Sequence, residues 1–264
     1  MDATAEAARL LADARTSRTP IALLPEAIRP ADEAAAYRVQ DALHALLART
    51  ALGAQAGHKI GCTTAVMQRY LGIANPCAGG FFAADVHRSG TTLPPQRFRR
   101  VGIECEIAVR LGRDLPAAEA PFTPARAAAA IDSAMAAIEL VDDRYVAWRE
   151  TDTPTLIADD FFAAGCVLGA PVAAARLPDL ATVEGTTTIN GTQAGQGRGA
   201  DVLGHPHVAL AWLAGTLAAR GRALRAGDLV LTGSLVQTVW LAPGDRAHIA
   251  ISGLGTVDFA LSPA

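Results

Sequence analysis

Two glutamates separated by a single residue are the most informative chemical feature of the sequence. Glu104 and Glu106 stand in an apolar, partly β-branched segment at 101–109, VGIECEIAV, which predicts a strand near the core. Successive side chains of a strand point to opposite faces, so the two carboxylates share one face, about 7 Å apart. A bound cation would relieve both their repulsion and the cost of burying them. Ligands that offer only oxygen favour a hard ion such as Mg²⁺, Ca²⁺ or Mn²⁺ over zinc.

A third acid, Glu139, interrupts another apolar run, AIELV at 137–141. A solvent-facing helix would carry more polar neighbours, so this placement favours Glu139 as a third metal ligand. Two ordinary interpretations stay open from the residues alone. Glu104 and Glu106 could form the solvated face of an amphipathic strand, and Glu139 could pair with a buried arginine such as Arg144.

Lys59 lies between glycines in GHKIG at 57–61, and glycines allow another backbone to approach closely. Beside a metal site, a lysine can bind a substrate carboxylate or transfer a proton, although an exposed surface position is the usual one for this residue type. Gly233 and Ser234 end the apolar run DLVLTGS. They could offer a backbone N–H and a hydroxyl to a carboxylate, or form an ordinary turn.

The hydrophobic patterning predicts an α+β protein that folds as one unit and positions these residues. Helical spacing of apolar residues at 3–16 and 30–49 indicates two helices. We expect them to form an amino-terminal helical cap, residues 1–56. From about residue 57 the composition changes to glycines, prolines and short β-branched runs. This change predicts a β-rich catalytic body over residues 57–264.

Within this body we expect two helices and several strands. The helices are expected at 124–138 and 205–220, the first because alanine has the highest helix propensity. The last two strands are separated by a glycine-containing turn and predict a β-hairpin. The expected strands are 102–111, 183–189, 228–233, 246–252 and 255–261.

Composition and charge argue against several classes of function. The net charge is −3 and lysine and arginine are nowhere concentrated, which disfavours nucleic acid as the main partner. No stretch approaches the roughly 18 apolar residues of a membrane span, and the acidic amino terminus is unlike a secretory signal. The four cysteines follow no CxxC spacing and suit reduced thiols in a cytoplasmic protein. The run GQGRG at 195–199 predicts a flexible turn and not a nucleotide-binding loop.

Several segments together resemble one family, the 2-keto-4-pentenoate hydratase branch of the fumarylacetoacetate hydrolase superfamily. They occur in the family's order over most of the chain, and the long block at 190–236 is the specific part. The matching segments are HKIG at 58–61, MQRYLGI at 67–73, IECEIAV at 103–109, AAIELVDDR at 136–144, NGTQAGQGRGADVLGHPHVALAWLA at 190–214, GDLVLTGSLV at 227–236 and PGD at 243–245.

The resemblance implies a fold, a metal and a set of site residues. The fold would be the superfamily's mixed β-roll-like body with an amino-terminal helical region. Glu104, Glu106 and Glu139 would match the family's three acidic metal ligands, and Lys59 would match its active-site lysine. Members typically use Mg²⁺ or Mn²⁺ and form homo-oligomers.

The activity that the resemblance implies is the addition of water to a small 2-hydroxy-2,4-dienoic acid, giving a 4-hydroxy-2-oxo acid, within the catabolism of aromatic compounds. The turn at Gly233 and Ser234 would lie beside the bound acid. Metal-dependent decarboxylation of a related 2-oxo acid stays open, as does a role as a non-catalytic partner subunit. C–C hydrolysis is disfavoured, because the hydrolases often carry a His and Glu three residues apart, and none of the six histidines here is followed by such a Glu.

The sequence departs from the family directly after Pro76. Many hydratases carry an acidic or aromatic residue there, where this chain has CAGG at 77–80. If that acid transfers a proton in the relatives, another group must do so here, and Asp160 or its neighbour Asp159 is the candidate catalytic acid. A surface or structural role for the two aspartates is about as well supported by the sequence.

Overall fold

The computed structural model describes residues 2–264 and confirms the predicted α+β fold. Six helices in this range are α1 (Ala3–Ser17), α2 (Glu33–Leu47), α3 (Ala65–Leu71), α4 (Pro124–Ala128), α5 (Thr153–Ala158) and α6 (Pro206–Ala218). No helix of the described chain is long and apolar enough to cross a membrane. The strands are β1 (Gln55–Gly61), β2 (Cys77–Phe82), β3 (Val86–Arg88), β4 (Thr91–Leu93), β5 (Val101–Leu111), β6 (Ile131–Asp142), β7 (Ala163–Leu168), β8 (Val172–Ala173), β9 (Glu184–Ile189), β10 (Thr192–Arg198), β11 (Leu229–Ser234), β12 (Val239–Trp240), β13 (Arg246–Ile251) and β14 (Gly255–Leu261).

The two amino-terminal helices lie where the patterning predicts them. The carboxylates of Asp2 and Asp32 begin α1 and α2, each accepting a hydrogen bond from a backbone N–H of the first turn. α1 packs against α2, and α2 packs against α5. The strands start with Gln55, two residues before the predicted body. The division into a cap, 1–56, and a body, 57–264, stays a prediction.

The larger sheet carries the candidate site. Its strands run in the order β2-β1-β11-β5-β6-β7-β3, and β12 and β8 pair with parts of β5 and β6. β5 and β6 form a long antiparallel pairing, from Val101 opposite Asp142 to Leu111 opposite Ile131. One face of the sheet holds a group that we call the inner apolar cluster. Its buried members are Phe81, Ala108, Met135, Ala137, Cys166, Leu229 and Leu231.

The smaller sheet has the order β10-β9-β13-β14-β4. The predicted terminal hairpin is confirmed: β13 and β14 are antiparallel, and their pairing closes with Ile251 opposite Gly255. Apolar residues alternate along both strands and are buried in the main core, as Ile249 and Val257 show. This sheet therefore covers the body without contributing to the candidate site.

The prediction of a helix at 124–138 is wrong over most of its length. α4 ends at Ala128, and β6 follows from residue 131. The helix propensity of alanine is outweighed because β6 pairs with β5 along one edge and with β7 along the other. Ala134 and Ala136 have no exposed surface, so their small side chains pack inside the protein instead of lining a helix.

The glycine-rich run at 195–199 is also not a flexible turn. Most of it belongs to β10, the edge strand of the smaller sheet. A Cβ atom at Gly197 would collide with the backbone oxygen of Leu235. Glycine is needed there because the chain after β11 lies directly against the strand.

Candidate metal centre

The pairing of β5 with β6 brings the three predicted glutamates together. Glu104 is directly opposite Glu139, and Glu106 lies two residues along β5 on the same face. One carboxylate oxygen from each of the three lies within 4.8 Å of the others. Glu106 is 0% exposed and Glu139 is 1% exposed, whereas Glu104 is half-buried. The convergence expected from the sequence is therefore present in the structure.

Several of these carboxylate oxygens have no hydrogen-bond donor. Oε2 of Glu106 accepts a hydrogen bond from the Gly233 N–H at 2.7 Å, and the Thr238 hydroxyl donates to Glu104. Within residues 2–264, Oε1 of Glu106 and Oε2 of Glu139 have no hydrogen-bond donor, and Oε1 of Glu139 has only the Lys59 ammonium, 2.9 Å away. Buried, unpaired carboxylate oxygens that face one another are the donor set that a hard divalent cation takes. The residues therefore fit Mg²⁺, Mn²⁺ or Ca²⁺.

Crowding of the carboxylates also changes their protonation. Burial, followed by the charges of Glu139 and Glu104, raises the pKa of Glu106 well above its usual range. Burial raises the pKa of Glu139 to about 7, although the neighbouring Lys59 ammonium lowers it. Raised carboxyl pKa values of this kind are typical of functional sites. They arise where a protein holds like charges close together and away from water, which costs stability.

Lys59 lies beside this cluster and is not the exposed surface lysine that composition alone would suggest. Its side chain is 3% exposed, and Nζ lies 2.9 Å from Oε1 of Glu139. Burial lowers the pKa of Lys59, but attraction to Glu139 and Glu104 outweighs burial and raises the pKa above its usual range. The ammonium is therefore charged at neutral pH, and it lies on β1, which β11 separates from β5.

Gly233 has a role that depends on its being glycine. Its φ is 126°, and a Cβ atom there would meet the side chain of Thr63 at 2.6 Å. This backbone lets the Gly233 N–H reach Glu106. The next residue, Ser234, lies opposite Glu106 in the sheet, and its hydroxyl donates to the Val236 carbonyl at 2.6 Å. Both predicted turn residues thus border the cluster, with Gly233 in direct contact.

Asp160 lies outside the cluster. Its carboxylate accepts the Gly80 N–H at 2.9 Å, forms an ion pair with Arg15 at 2.9 Å and shares a hydrogen bond of 2.7 Å with Nε2 of His44. Burial opposes the charge, but His44 and Arg15 outweigh it and hold the pKa of Asp160 well below its usual range. These contacts join α1 and α2 to the turn before β7. A catalytic role for Asp160 stays a prediction.

Asp159, and not Glu139, pairs with Arg144, the arginine that the sequence analysis named as a possible partner of Glu139. Its carboxylate pairs with Arg144 at 2.9 Å and with Arg15 at 2.6 Å. Arg144 as the partner of Glu139 is therefore wrong. A cavity of about 460 Å³ borders Arg15 and Arg144, and none of the three glutamates lines it. The carboxylate cluster, and not this cavity, marks the candidate metal centre.

Two contributors to the site went unnoticed in the sequence. The Thr238 hydroxyl donates to Glu104, and Thr63 packs against Gly233, yet neither threonine stands in a recognisable sequence pattern.

The sequence contains one further indication that Lys59 is functional. Lys59 is the only lysine in a chain with 23 lysines and arginines combined. A chain that otherwise uses arginine for its cationic side chains has one ammonium group, and it lies at the carboxylate cluster.

Comparison with known proteins gives the family. The sequence profile described as Fumarylacetoacetate (FAA) hydrolase C-terminal matches residues 81–261. The chain is 38% identical over 255 residues to the 2-keto-4-pentenoate hydratase of Paraburkholderia phymatum, which covers 96% of this chain and 95% of that protein. It is 34% identical over 225 residues to the 2-hydroxyhexa-2,4-dienoate hydratase of Comamonas testosteroni, covering 84% and 83%.

A solved structure is similar over nearly the whole chain. The 4-oxalocrotonate decarboxylase of Pseudomonas putida G7, complexed with magnesium and adipate, superimposes with a TM-score of 0.90 at 26% identity, covering 98% of this chain and 97% of that one. The profile match includes β5 and β6, which carry the three glutamates, and the alignment with the Paraburkholderia phymatum hydratase spans almost the complete sequence. The chain belongs to the fumarylacetoacetate hydrolase family.

Proposed function

We propose that this protein is a metal-dependent hydro-lyase that adds water to a 2-hydroxy-2,4-dienoate and gives a 4-hydroxy-2-oxo acid. The observation that carries the proposal is the convergence of three carboxylates, two of them fully buried, beside a single charged lysine. The substrate class is supported by the relatives named 2-keto-4-pentenoate hydratase and 2-hydroxyhexa-2,4-dienoate hydratase, which align over most of the chain.

Glu104, Glu106 and Glu139 are the residues that would hold Mg²⁺ or Mn²⁺. A bound divalent cation supplies a Lewis acid for the carboxylate and 2-oxo oxygens of the substrate. The Gly233 N–H fixes the orientation of Glu106 by its hydrogen bond. The inner apolar cluster lies on the same side of the sheet and keeps water away from that end of the site.

Lys59 is the proposed proton carrier. Its Nζ is charged and buried, and it lies 2.9 Å from Oε1 of Glu139 at the carboxylate cluster. We propose that Nζ binds the acid group of the substrate or delivers the proton that converts the dienol into the 2-oxo form. Ser234 and Gly233 would border the bound acid. Asp160 would transfer a proton only if its carboxylate left its present partners, Arg15 and His44.

The test is a direct assay of the purified protein. With Mg²⁺ present, 2-hydroxypenta-2,4-dienoate should lose its ultraviolet absorbance and yield a 4-hydroxy-2-oxo acid. The Glu106→Gln variant serves as the control for adventitious catalysis. Absence of turnover with both the pentadienoate and the hexadienoate homologue would remove the hydratase proposal.

A decarboxylase is the second candidate, because the 4-oxalocrotonate decarboxylase matches over nearly the full chain. Release of carbon dioxide from a 2-oxo dicarboxylic acid, without a hydroxylated product, would favour it. A non-catalytic partner subunit is the third candidate. Calorimetric titration that finds no binding of Mg²⁺ or Mn²⁺ would favour that role.

The proposal also includes the setting of the enzyme. We propose a cytoplasmic homo-oligomer that serves the catabolism of aromatic compounds and has a small acid, and not nucleic acid, as its ligand. Light scattering after size-exclusion chromatography tests the assembly. A monomeric mass would contradict the homo-oligomer without affecting the proposed reaction.

A further inference from the structure

Two cysteines lie next to each other at the end of the β1–β2 pairing. Gly61 is opposite Cys77 in the antiparallel register, and Cys62 is the next residue along the chain. From the strand rise and the separation of paired strands, the Cα atoms of Cys62 and Cys77 are about 6 Å apart. Disulfides in proteins span roughly 4.4–6.8 Å between Cα atoms. The backbone spacing therefore permits a bond between these two sulfurs.

The two thiols also lie close enough to affect each other's ionisation. The Cys62 thiol, followed by burial, holds the pKa of Cys77 well above its usual range. Cys77 has no exposed surface, whereas Cys62 is partly exposed, so a small oxidant can reach Cys62 first. The backbone of Cys62 has a φ of 58°, and its carbonyl accepts a hydrogen bond from the Gln68 side chain at 2.9 Å. A left-handed conformation in a residue other than glycine persists only where its surroundings hold it.

Lys59 completes this arrangement. Lys59 and Gly61 are two residues apart in β1 and face the same side, as does Cys77 opposite Gly61. The charge of the ammonium interacts with both thiols. This attraction favours the Cys77 thiolate, the form that attacks a sulfenic acid, and offsets a part of the rise that the Cys62 thiol and burial cause in the pKa of Cys77.

We propose that Cys62 and Cys77 form an oxidation site that closes to a disulfide with hydrogen peroxide as the oxidant. The Cys62 sulfur attacks one peroxide oxygen, the O–O bond breaks, one water leaves, and Cys62 becomes a sulfenic acid. The Cys77 sulfur then attacks the Cys62 sulfur, the S–O bond breaks, and a second water leaves. The two thiols lose two protons and two electrons in total, which the peroxide takes up.

The site lies where closure would affect the metal centre. Thr63, which follows Cys62, packs against Gly233, and the Gly233 N–H orients Glu106. A bond that draws Cys62 towards β2 would shift this contact. We therefore expect oxidation to lower dienoate turnover at least about tenfold, since small displacements of positioning groups are costly. Only this consequence rests on the proposed function; the disulfide itself does not.

Peptide mapping of the full chain tests the disulfide directly. Trypsin cleaves after Lys59, Arg69 and Arg88, which places Cys62 on peptide 60–69 and Cys77 on peptide 70–88. After treatment with peroxide we expect these two peptides to be joined, and dithiothreitol to separate them again. Separate peptides, with sulfinic or sulfonic acid accumulating on Cys62, would overturn the proposal whatever the activity does.

Three variants make the test specific. Cys62→Ser and Cys77→Ser should each abolish the joined peptide and protect turnover against peroxide. Cys105→Ser is the matched control, because Cys105 is buried on the opposite face of β5 and should leave peroxide sensitivity unchanged. Circular dichroism of each variant checks its fold. Equal peroxide sensitivity in the wild type and Cys62→Ser would contradict the link between the disulfide and turnover.

Discussion

Lys59 and Glu139 form a buried ion pair, with Nζ 2.9 Å from Oε1, at the edge of the carboxylate cluster. When Glu104 and Glu106 are also ionised, three negative charges face one positive charge in a site with little solvent. A divalent cation would neutralise the two charges that Lys59 leaves unpaired. Buried charges are tolerated when they are paired or bind a metal, which is why the charge count itself favours a divalent ion.

The first prediction concerns Glu106. Replacement by glutamine keeps the shape but removes one anionic ligand, so Glu106→Gln should lose affinity for Mg²⁺. We expect turnover to fall at least about a hundredfold, since a Lewis acid is worth several kcal/mol. In thermal unfolding, Mg²⁺ should raise the midpoint of the wild type but not of the variant.

Glu184→Gln is the matched control for this variant. Glu184 lies on the smaller sheet in an exposed ion pair with Arg198, so its removal should leave Mg²⁺ stabilisation and turnover unchanged. If Glu106→Gln still gains stability with Mg²⁺ as the wild type does, Glu106 is not a metal ligand.

The second prediction separates the charge of Lys59 from its ability to move a proton. Lys59→Met removes both, and we expect turnover to fall by about 10²–10⁴, the usual range for a lost acid or base. Lys59→Arg keeps the charge, but a guanidinium does not give up a proton, so it should not restore turnover. Steady-state rates with the dienoate measure both. Substantial activity in Lys59→Arg would show that the residue supplies charge alone.

Much of the site could be predicted because its residues are close in sequence. The spacing of Glu104 and Glu106 within one apolar run fixes them on one face of a strand, and β5 confirms it. The terminal hairpin and the two amino-terminal helices follow from local patterning in the same way. Short-range periodicity is what a single sequence records best.

The remainder depends on contacts that local patterning does not record. Glu139 faces Glu104 only because residues 131–142 form a strand, whereas their alanines favour a helix. The partners of Asp160, Arg15 and His44, are more than a hundred residues away in sequence. Long-range pairing therefore decided both the strand at 131–142, where a helix was predicted, and the surroundings of the predicted acid.

The third prediction concerns the pH dependence of metal binding. Burial raises the pKa of Glu139 to about 7, so below that pH a cation must displace a proton from the site. Affinity for Mg²⁺ should rise as the pH approaches about 7, and Glu106, whose pKa is also raised, adds to the protons that the cation displaces. Calorimetry in buffers of different ionisation enthalpy measures both the affinity and the protons released. Constant affinity from about pH 5.5 to pH 8, with no protons released, would contradict a buried glutamate ligand.

The metal-free protein should show the opposite trend in stability. A carboxyl group with a raised pKa in the folded state binds its proton more tightly there than in the unfolded chain. The contribution of Glu139 to the free energy of unfolding is thus present at low pH and lost as the pH rises through about 7. Urea unfolding of metal-free protein, compared with Glu139→Gln, isolates this contribution as the difference between the two pH profiles.

The fourth prediction concerns His58, which points away from the cluster because it neighbours Lys59 in the strand. Burial, helped by the charge of Arg222, lowers the pKa of His58 to about 3 from 6.5. Below pH 6.5 His58 is protonated in the unfolded chain but stays neutral in the folded protein. The free energy of unfolding therefore falls as the pH drops towards 3. His58→Gln should flatten the unfolding free energy over this range.

His248→Gln is the control for this measurement, since the His248 side chain is exposed in the smaller sheet. Its profile should follow that of the wild type. An unchanged slope in His58→Gln would mean that His58 is protonated in the folded protein.

The last prediction concerns Asp160, the proposed catalytic acid whose contacts indicate another role. Asp160→Asn removes the charge that pairs with Arg15 and accepts a hydrogen bond from His44, in a site with no solvent. Breaking such a buried pair costs about 3 kcal/mol or more, so the midpoint of urea unfolding should fall. Turnover of the protein that stays folded should change little. Asp13→Asn removes an exposed partner of Arg9 and should leave the midpoint unchanged. If Asp160→Asn instead keeps the wild-type midpoint and loses turnover, the carboxylate takes part in proton transfer.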